Sequence, residues 1–181
     1  EEILLAKIPE NLSFTQAAAV PEAFITASDA IFTNGNLQTG ESLLIHAVGS
    51  GVGLAALQLA KAKNIKVFGT SRTADKLEKC AEFGLDEAIL TDVKSNFSEI
   101  IKDKIGGVDV ILDLVGARFF DENLKSLALK GRLILVGLVA GRKAEFDLGI
   151  ALSKRLKIIG TALRSRSTAE KAEATQKFIK E

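Results

Sequence analysis

The 181-residue chain contains no tryptophan, tyrosine or methionine, only one cysteine (Cys80) and one histidine (His46), and two prolines. One cysteine excludes a disulfide framework and a cysteine-ligated zinc site. One histidine argues against a histidine metal cluster, so no metal ligands are assigned. Charge of either sign is also missing as a bias: 24 basic and 23 acidic residues leave a formal net charge of +1. That balance gives no electrostatic case for nucleic acid or for an anionic membrane surface. No apolar run approaches the about 20 residues of a membrane span, and no charged-then-apolar leader opens the chain. A reducing cytosol is the simplest compartment for such a composition, and a cytoplasmic protein is expected. The opening "EEILLAKIPENLSF" has no initiator methionine, and the expectation is a piece of a longer protein.

Hydrophobic residues make up 47% of the chain, enough for one well-buried domain. Both prolines, Pro9 and Pro21, lie near the beginning. A capping box, Ser13 with Gln16, precedes an apolar segment read as one helix disturbed at Pro21. A turn-rich stretch (34–41) follows, and then a regular alternation. Strands are expected at 42–48, 65–71, 86–91, 108–115, 131–139 and 157–163. Helices are expected at 51–64, 73–84, 96–107, 117–130 and 148–156, and after a second capping box, Ser167 with Glu170, at 168–181. Strands such as "SLLIHAV" and "VDVILDLV" are apolar throughout, as parallel strands buried on both faces are. Strands separated by helices imply βαβ units. The expected class is therefore α/β: a doubly wound, mostly parallel, six-stranded Rossmann sheet with helices on both faces.

In such a sheet ligands bind beyond the carboxyl ends of the strands, where strand order reverses. "HAVGSGVGLAALQLAK" stands there. Gly49, Gly51 and Gly53 read G-x-G-x-G, with Leu54 in place of the third fingerprint glycine. The spacing alone suits a phosphate-binding turn or an ordinary strand–helix turn; the strand before and the helix after favour the former. About 20 residues on, where an NAD site places an acid, "FGTSRTADK" has none before Asp75. Arg72, Thr73 and Lys76 are placed to hold a 2′-phosphate, the other reading being a solvated basic turn with Thr73 as a plain helix cap. Gly116 and the loop 137–142, with Leu138, end neighbouring strands on the same face and are candidates for the nicotinamide side. Asp113 reads as a loop-positioning carboxylate, His46 as a packed core residue, and "LRSRS" (163–167) as a solvated cap. No Ser/His/Asp set or carboxylate pair appears, so no catalytic residue is assigned.

"AAAVPEAFITASDAIF…TGESLLIHAVGSGVGLAALQLAK", together with "ILDLVG", "LALKGRLILVGL", "LSKRL" and "ALRSRS", resembles the zeta-crystallin-like quinone oxidoreductases. These form a zinc-free branch of the medium-chain dehydrogenases and reductases. The resemblance runs from about Glu2 to Arg166, and "LRSR" is shared with the tumour-suppressor-inducible subgroup. It implies NADPH-dependent hydride transfer to a quinone or an activated enone. An enoyl-thioester reductase of the same superfamily and a non-catalytic nucleotide-binding protein are the alternatives. It also implies a split architecture, with residues 1–12 a junction to a GroES-like catalytic domain and 13–181 the dinucleotide-binding domain. By the resemblance, Ser50, Gly51, Val52 and Gly53 form the diphosphate turn, Thr73 and Lys76 bind the 2′-phosphate, and Thr26 packs near the nicotinamide. Two departures stand out. Arg72 replaces a usual glycine and adds positive charge. Asp92 stands where the family often has a tyrosine, and its carboxylate would repel a 2′-phosphate. The implied homodimer pairs the sixth strands of two copies, an edge that is prone to association in any case.

Overall fold

A computed structural model of the chain describes residues 2–91 and 96–180. Its six strands, β1 (Ser42–Ile45), β2 (Lys66–Ser71), β3 (Glu87–Leu90), β4 (Val108–Asp113), β5 (Leu127–Leu135) and β6 (Lys157–Gly160), form one sheet in the order β3-β2-β1-β4-β5-β6. Every pairing is parallel. The order reverses between β1 and β4, so this is the switch point.

The helices are α1 (Phe14–Ala18), α2 (Val20–Ser28), α3 (Gly51–Ala62), α4 (Ala74–Ala81), α5 (Phe97–Ile105), α6 (Phe120–Ser126), α7 (Leu148–Lys154) and α8 (Thr168–Lys180). Alternation along each strand divides two cores. Leu43, Ile45, Val67, Val110, Leu112 and Ile134 pack with Ala27, Ile31, Ala56 and Leu57 from the α2 and α3 side. Leu44, Phe68, Ile111 and Leu133 pack with Phe97, Ile101 and Leu124 on the other face. All four residues of β1 are buried, which is why that strand is apolar throughout.

Both capping boxes form. Gln16 N–H donates to Ser13 Oγ at 3.3 Å and Ser13 N–H to Gln16 Oε1 at 3.0 Å. Ser167 N–H donates to Glu170 Oε2 at 2.9 Å. The helix expected through Pro21 is divided at Ala19; Pro21 sits in the first turn of α2, where its missing N–H costs nothing. The chain then runs on as a π-helical segment, Asp29–Asn34. Asp29 is buried there and is met by Asn34 Nδ2 (2.9 Å), Thr161 Oγ1 (3.1 Å) and Arg166 Nη2 (2.7 Å).

The largest departure from the sequence reading is around α6 and β5. The helix expected over 117–130 ends at Ser126, and the strand expected at 131–139 occupies 127–135. Lys154 Nζ, arriving from α7, donates to the carbonyls of Leu124 (3.1 Å), Lys125 (2.7 Å) and Leu127 (2.7 Å) and so takes the terminal acceptors of α6. Leu127 is then fully buried against β4. At the far end, Val136 and Gly137 N–H both donate to Asp113 O, and the chain turns away from the sheet. β6 likewise stops at Gly160 rather than at 163.

Candidate functional site

A cleft of about 300 Å³ lies beyond the carboxyl ends of the first five strands, across the switch point. Ala47, Gly49 and Ser50 line it after β1. Thr70 and Ser71, ending β2, with Arg72, Thr73 and Lys76 after it, form a second wall. Thr91 follows β3; Val115, Arg118 and Phe119 follow β4; Val139 and Ala140 follow β5. Arg72, Lys76 and Arg118 make the lining cationic, and no carboxylate is among the described residues of that lining.

The turn between β1 and α3 is tightly built. Ala47 takes a left-handed backbone (φ 51°), Ser50 N–H donates to Ala47 O at 2.8 Å, and Ser50 caps α3 by accepting from Gly53 N–H at 3.2 Å. Gly53 is required for close approach: a Cβ there would stand 2.6 Å from Ala47 O and 2.7 Å from Val48 O. Among the described residues no acceptor meets the amides of Gly51 and Val52, which begin the helix. Open amides at the positive end of a helix dipole suit an anion.

The second wall differs from a plain capped turn. Thr73 occupies the N-cap position of α4, but its side chain makes no capping bond. Instead its N–H donates to Ser71 Oγ at 3.2 Å, and the two hydroxyls lie 3.4 Å apart. The end of β2, where a ribose-binding acid would stand, is Thr70–Ser71.

Of the residues singled out in the sequence, the structure brings Gly49, Ser50, Arg72, Thr73 and Lys76 into this cleft, with Gly51, Val52 and Gly53 in the helical turn beside it. Gly116 and Leu138 line an adjoining hollow of about 210 Å³ with Phe120 and Phe146. Gly116 has φ +89°, and a Cβ on it would fall 3.0 Å from Leu138 Cα. Thr26 is half-buried in α2 and lines neither. Asp92 lies outside the described residues. Thr91, Val115 and Arg118 were not singled out, although each sits just past a strand end, which is the signal that finds them. Arg118 lies over the Phe119 ring, 5.9 Å from its centroid.

Beneath the cleft runs a buried polar chain. His46 Nδ1 is 2.9 Å from Thr70 Oγ1 and Nε2 is 2.6 Å from Asn123 Oδ1. Asn123 Nδ2 donates to Asp113 Oδ2 at 3.0 Å. Asp113 Oδ1 accepts from Val115 N–H (2.7 Å) and Gly116 N–H (2.9 Å). Asp113 thus positions the loop after β4, and His46 is fully buried between the rings of Phe97 and Phe119. Burial holds the imidazole pKa below its ordinary value, against the opposing pull of the Asp113 charge. Among the described residues no group of three or more His, Cys, Asp or Glu is placed to hold a metal ion. Nor is any helix among them long and apolar enough to cross a membrane.

The family model for zinc-binding dehydrogenases matches residues 51–179. The quinone oxidoreductase of Rattus norvegicus is 33% identical over 165 residues, which is 90% of this chain and 49% of the relative. Escherichia coli quinone oxidoreductase, solved in complex with NADPH, matches with a TM-score of 0.81 at 29% identity, over 97% of this chain and 55% of that one. The CurK enoyl reductase matches with a TM-score of 0.80 at 25% identity, over 97% of this chain and 53% of that one. The chain therefore spans about half the length of these relatives. With that match, the all-parallel sheet and the cleft at its switch point, the chain belongs to the zinc-binding dehydrogenase family, as the cofactor-binding half of a zeta-crystallin-like medium-chain dehydrogenase/reductase.

Proposed function

We propose that the chain is the NADPH-binding part of an oxidoreductase that reduces a quinone or an activated enone. The observation that carries this reading is a single cleft lined by Gly49, Ser50 and the cations Arg72 and Lys76, with the open amides of Gly51 and Val52 in the helical turn beside it. Ser50 to Gly53 would hold the pyrophosphate, since backbone donors at a helix N-terminus suit its charge. Arg72, Thr73 and Lys76 would hold the 2′-phosphate through charge-assisted hydrogen bonds. The absence of an acid at the end of β2 removes the repulsion that would favour NADH. Gly116 and Leu138 would shape the nicotinamide end. When bound, the cofactor supplies the hydride; the chain's residues bind it, orient it and screen its charge. The E. coli quinone oxidoreductase complex with NADPH supports the cofactor, and the quinone oxidoreductase relatives support the acceptor class.

Residues 1–12 are read as the junction to a catalytic domain, and the free edge of β6, with Ile158 36% exposed, as the surface that pairs two copies into a homodimer. The likeness to CurK enoyl reductase favours one second reading, reduction of an enoyl thioester; assaying the parent protein with a quinone and with a 2-enoyl thioester separates the two.

The test of the cofactor is a titration with NADPH and NADH followed by nicotinamide fluorescence. NADPH is expected to bind at least about tenfold more tightly, a difference of about 1.4 kcal/mol. Arg72→Ala with Lys76→Ala should weaken NADPH by roughly 1–3 kcal/mol, about five- to 150-fold, and leave NADH nearly unchanged. An unchanged ratio of the two affinities would remove the 2′-phosphate assignment, and binding of neither nucleotide would remove the reading.

A further inference from the structure

With His46 neutral, as its burial favours, the buried chain from Thr70 to Gly116 has only one consistent placement of protons. A carboxylate only accepts, so the Asn123 atom facing Asp113 is the amide nitrogen. The other Asn123 atom is then an oxygen, which must face an N–H, so His46 carries its proton on Nε2. Nδ1 is left with a lone pair and accepts from the Thr70 hydroxyl. His46, Asp113 and Asn123 are 0% exposed and Thr70 is 1% exposed. Among the described residues no buried side-chain nitrogen or oxygen lacks a partner.

The chain crosses the sheet from β2, past β1, to the loop after β4. Its two ends, Thr70 and Val115, both line the cleft. Between them His46 and Asn123 each donate to one neighbour and accept from the other, and Asn123 is the one that meets the Asp113 carboxylate. We infer that Asn123 is a positioning residue for the dinucleotide: held between neutral His46 and the Asp113 carboxylate, it keeps the Val115–Gly116 turn in register with the Thr70 wall. This rests on the reading that the cleft holds NADPH. No other residue on α6 has such a link: Asp121 is paired with Lys125 at the surface, and Glu122 accepts from Ser98 N–H. The direction of the hydrogen bonds carries the effect: the backbone bonds of Val48 N–H to Thr70 O and His46 N–H to Leu112 O join the strand ends, whereas the side-chain relay ties them to the Val115 and Gly116 amides.

Asn123→Asp turns a donor into an acceptor and sets two carboxylates face to face. Coupled exchange, Asp113→Asn with Asn123→Asp, restores every direction: the new amide oxygen receives Val115 and Gly116 N–H, its nitrogen donates to the new carboxylate, and that carboxylate accepts from His46. NADPH titration of the whole chain should show Asn123→Asp at least about tenfold weaker than wild type, and the double exchange within about threefold. Because His46 is the only histidine, ¹⁵N-histidine NMR reads one ring. It should show the proton on Nε2 in wild type and in the double exchange, and on both nitrogens in Asn123→Asp near neutral pH. In the wild-type chain, saturating NADPH should shift the His46 Nδ1 resonance, since Thr70 joins that atom to the cleft; this measurement stands even where Asn123→Asp fails to fold.

A folded Asn123→Asp variant that binds NADPH as wild type does, a double exchange no better than the single change, or a His46 resonance unmoved by NADPH overturns the inference alone. Wild-type chain that binds no NADPH overturns the cofactor reading, and the inference with it.

Discussion

Replacing Gly53 by alanine tests the geometry of the glycine turn between β1 and α3 through stability. The added methyl would lie 2.6 Å from Ala47 O, 2.7 Å from Val48 O and 2.9 Å from Val48 C. Those are backbone atoms of a turn whose Ala47 already has φ 51°, and they have no flexible side chain to swing aside. Relief requires α3 to move away from β1, against a core in which Ala55, Ala56 and Leu57 are at most 1% exposed. Overpacking of this kind costs about 1–3 kcal/mol. Alanine regains at most about 1 kcal/mol in helix propensity and unfolded-chain entropy. A net loss of about 1–2 kcal/mol should lower the melting midpoint by roughly 2–8 °C in a chain of this size. Gly51→Ala is the internal control. It lies in the same turn, at a negative φ, with nothing within 4 Å of its would-be Cβ. It collects the helix gain without the clash and should leave the midpoint unchanged or raise it by a few degrees. Thermal unfolding followed by far-ultraviolet circular dichroism reads both. If Gly53→Ala melts with wild type, or Gly51→Ala falls as far, close packing at Gly53 is not what requires a glycine there.

Further expectations follow from the same contacts. Arg166→Ala removes both guanidinium bonds to Asp29, which is 4% exposed; Asn34 and Thr161 retain part of its solvation, and the loss should be about 2–4 kcal/mol in urea unfolding. Lys154→Met leaves three carbonyls around the end of α6 without their ammonium partner and should lower stability by about 1–3 kcal/mol. His46, held neutral by burial, gains a proton on unfolding once pH drops below about 6.5. Stability is therefore fully present above that value and falls as pH decreases, by up to about 1.4 kcal/mol per pH unit until the folded pKa is reached. His46→Gln should remove the His46 share of that slope just below about pH 6.5 while lowering stability overall; urea unfolding at several pH values checks it, and a variant as steep there as wild type would contradict the neutral buried ring.

Much of the fold was legible because it rests on local rules. Unbroken apolar strands, helices of a dozen residues between them and two capping boxes are patterns that one segment carries in its own side chains. The cleft residues after β1 and β2 were legible for the same reason: a glycine turn and a basic turn both follow directly on apolar strands. Residues after β3 and β4 were harder to see. Thr91 and Val115 have no chemistry of their own to mark them; they matter because five strand ends converge. The end of α6 was misjudged because "LKSLALK" is good helix sequence, and what stops it is an ammonium group brought from α7.

The amino-acid sequence by itself determined the class of fold, the number and order of strands, the position of the glycine turn after β1 and the lack of an acid at the end of β2. It did so because each depends on hydrophobic periodicity or on a residue type at a fixed distance along the chain. Only the tertiary structure decided where β5 begins, which strand ends share one cleft and how Thr70, His46, Asn123 and Asp113 link beneath it. Those four residues span 78 positions in the sequence and meet only once β1, β2, β4 and α6 are packed. A buried hydrogen bond between distant residues leaves no periodicity to read.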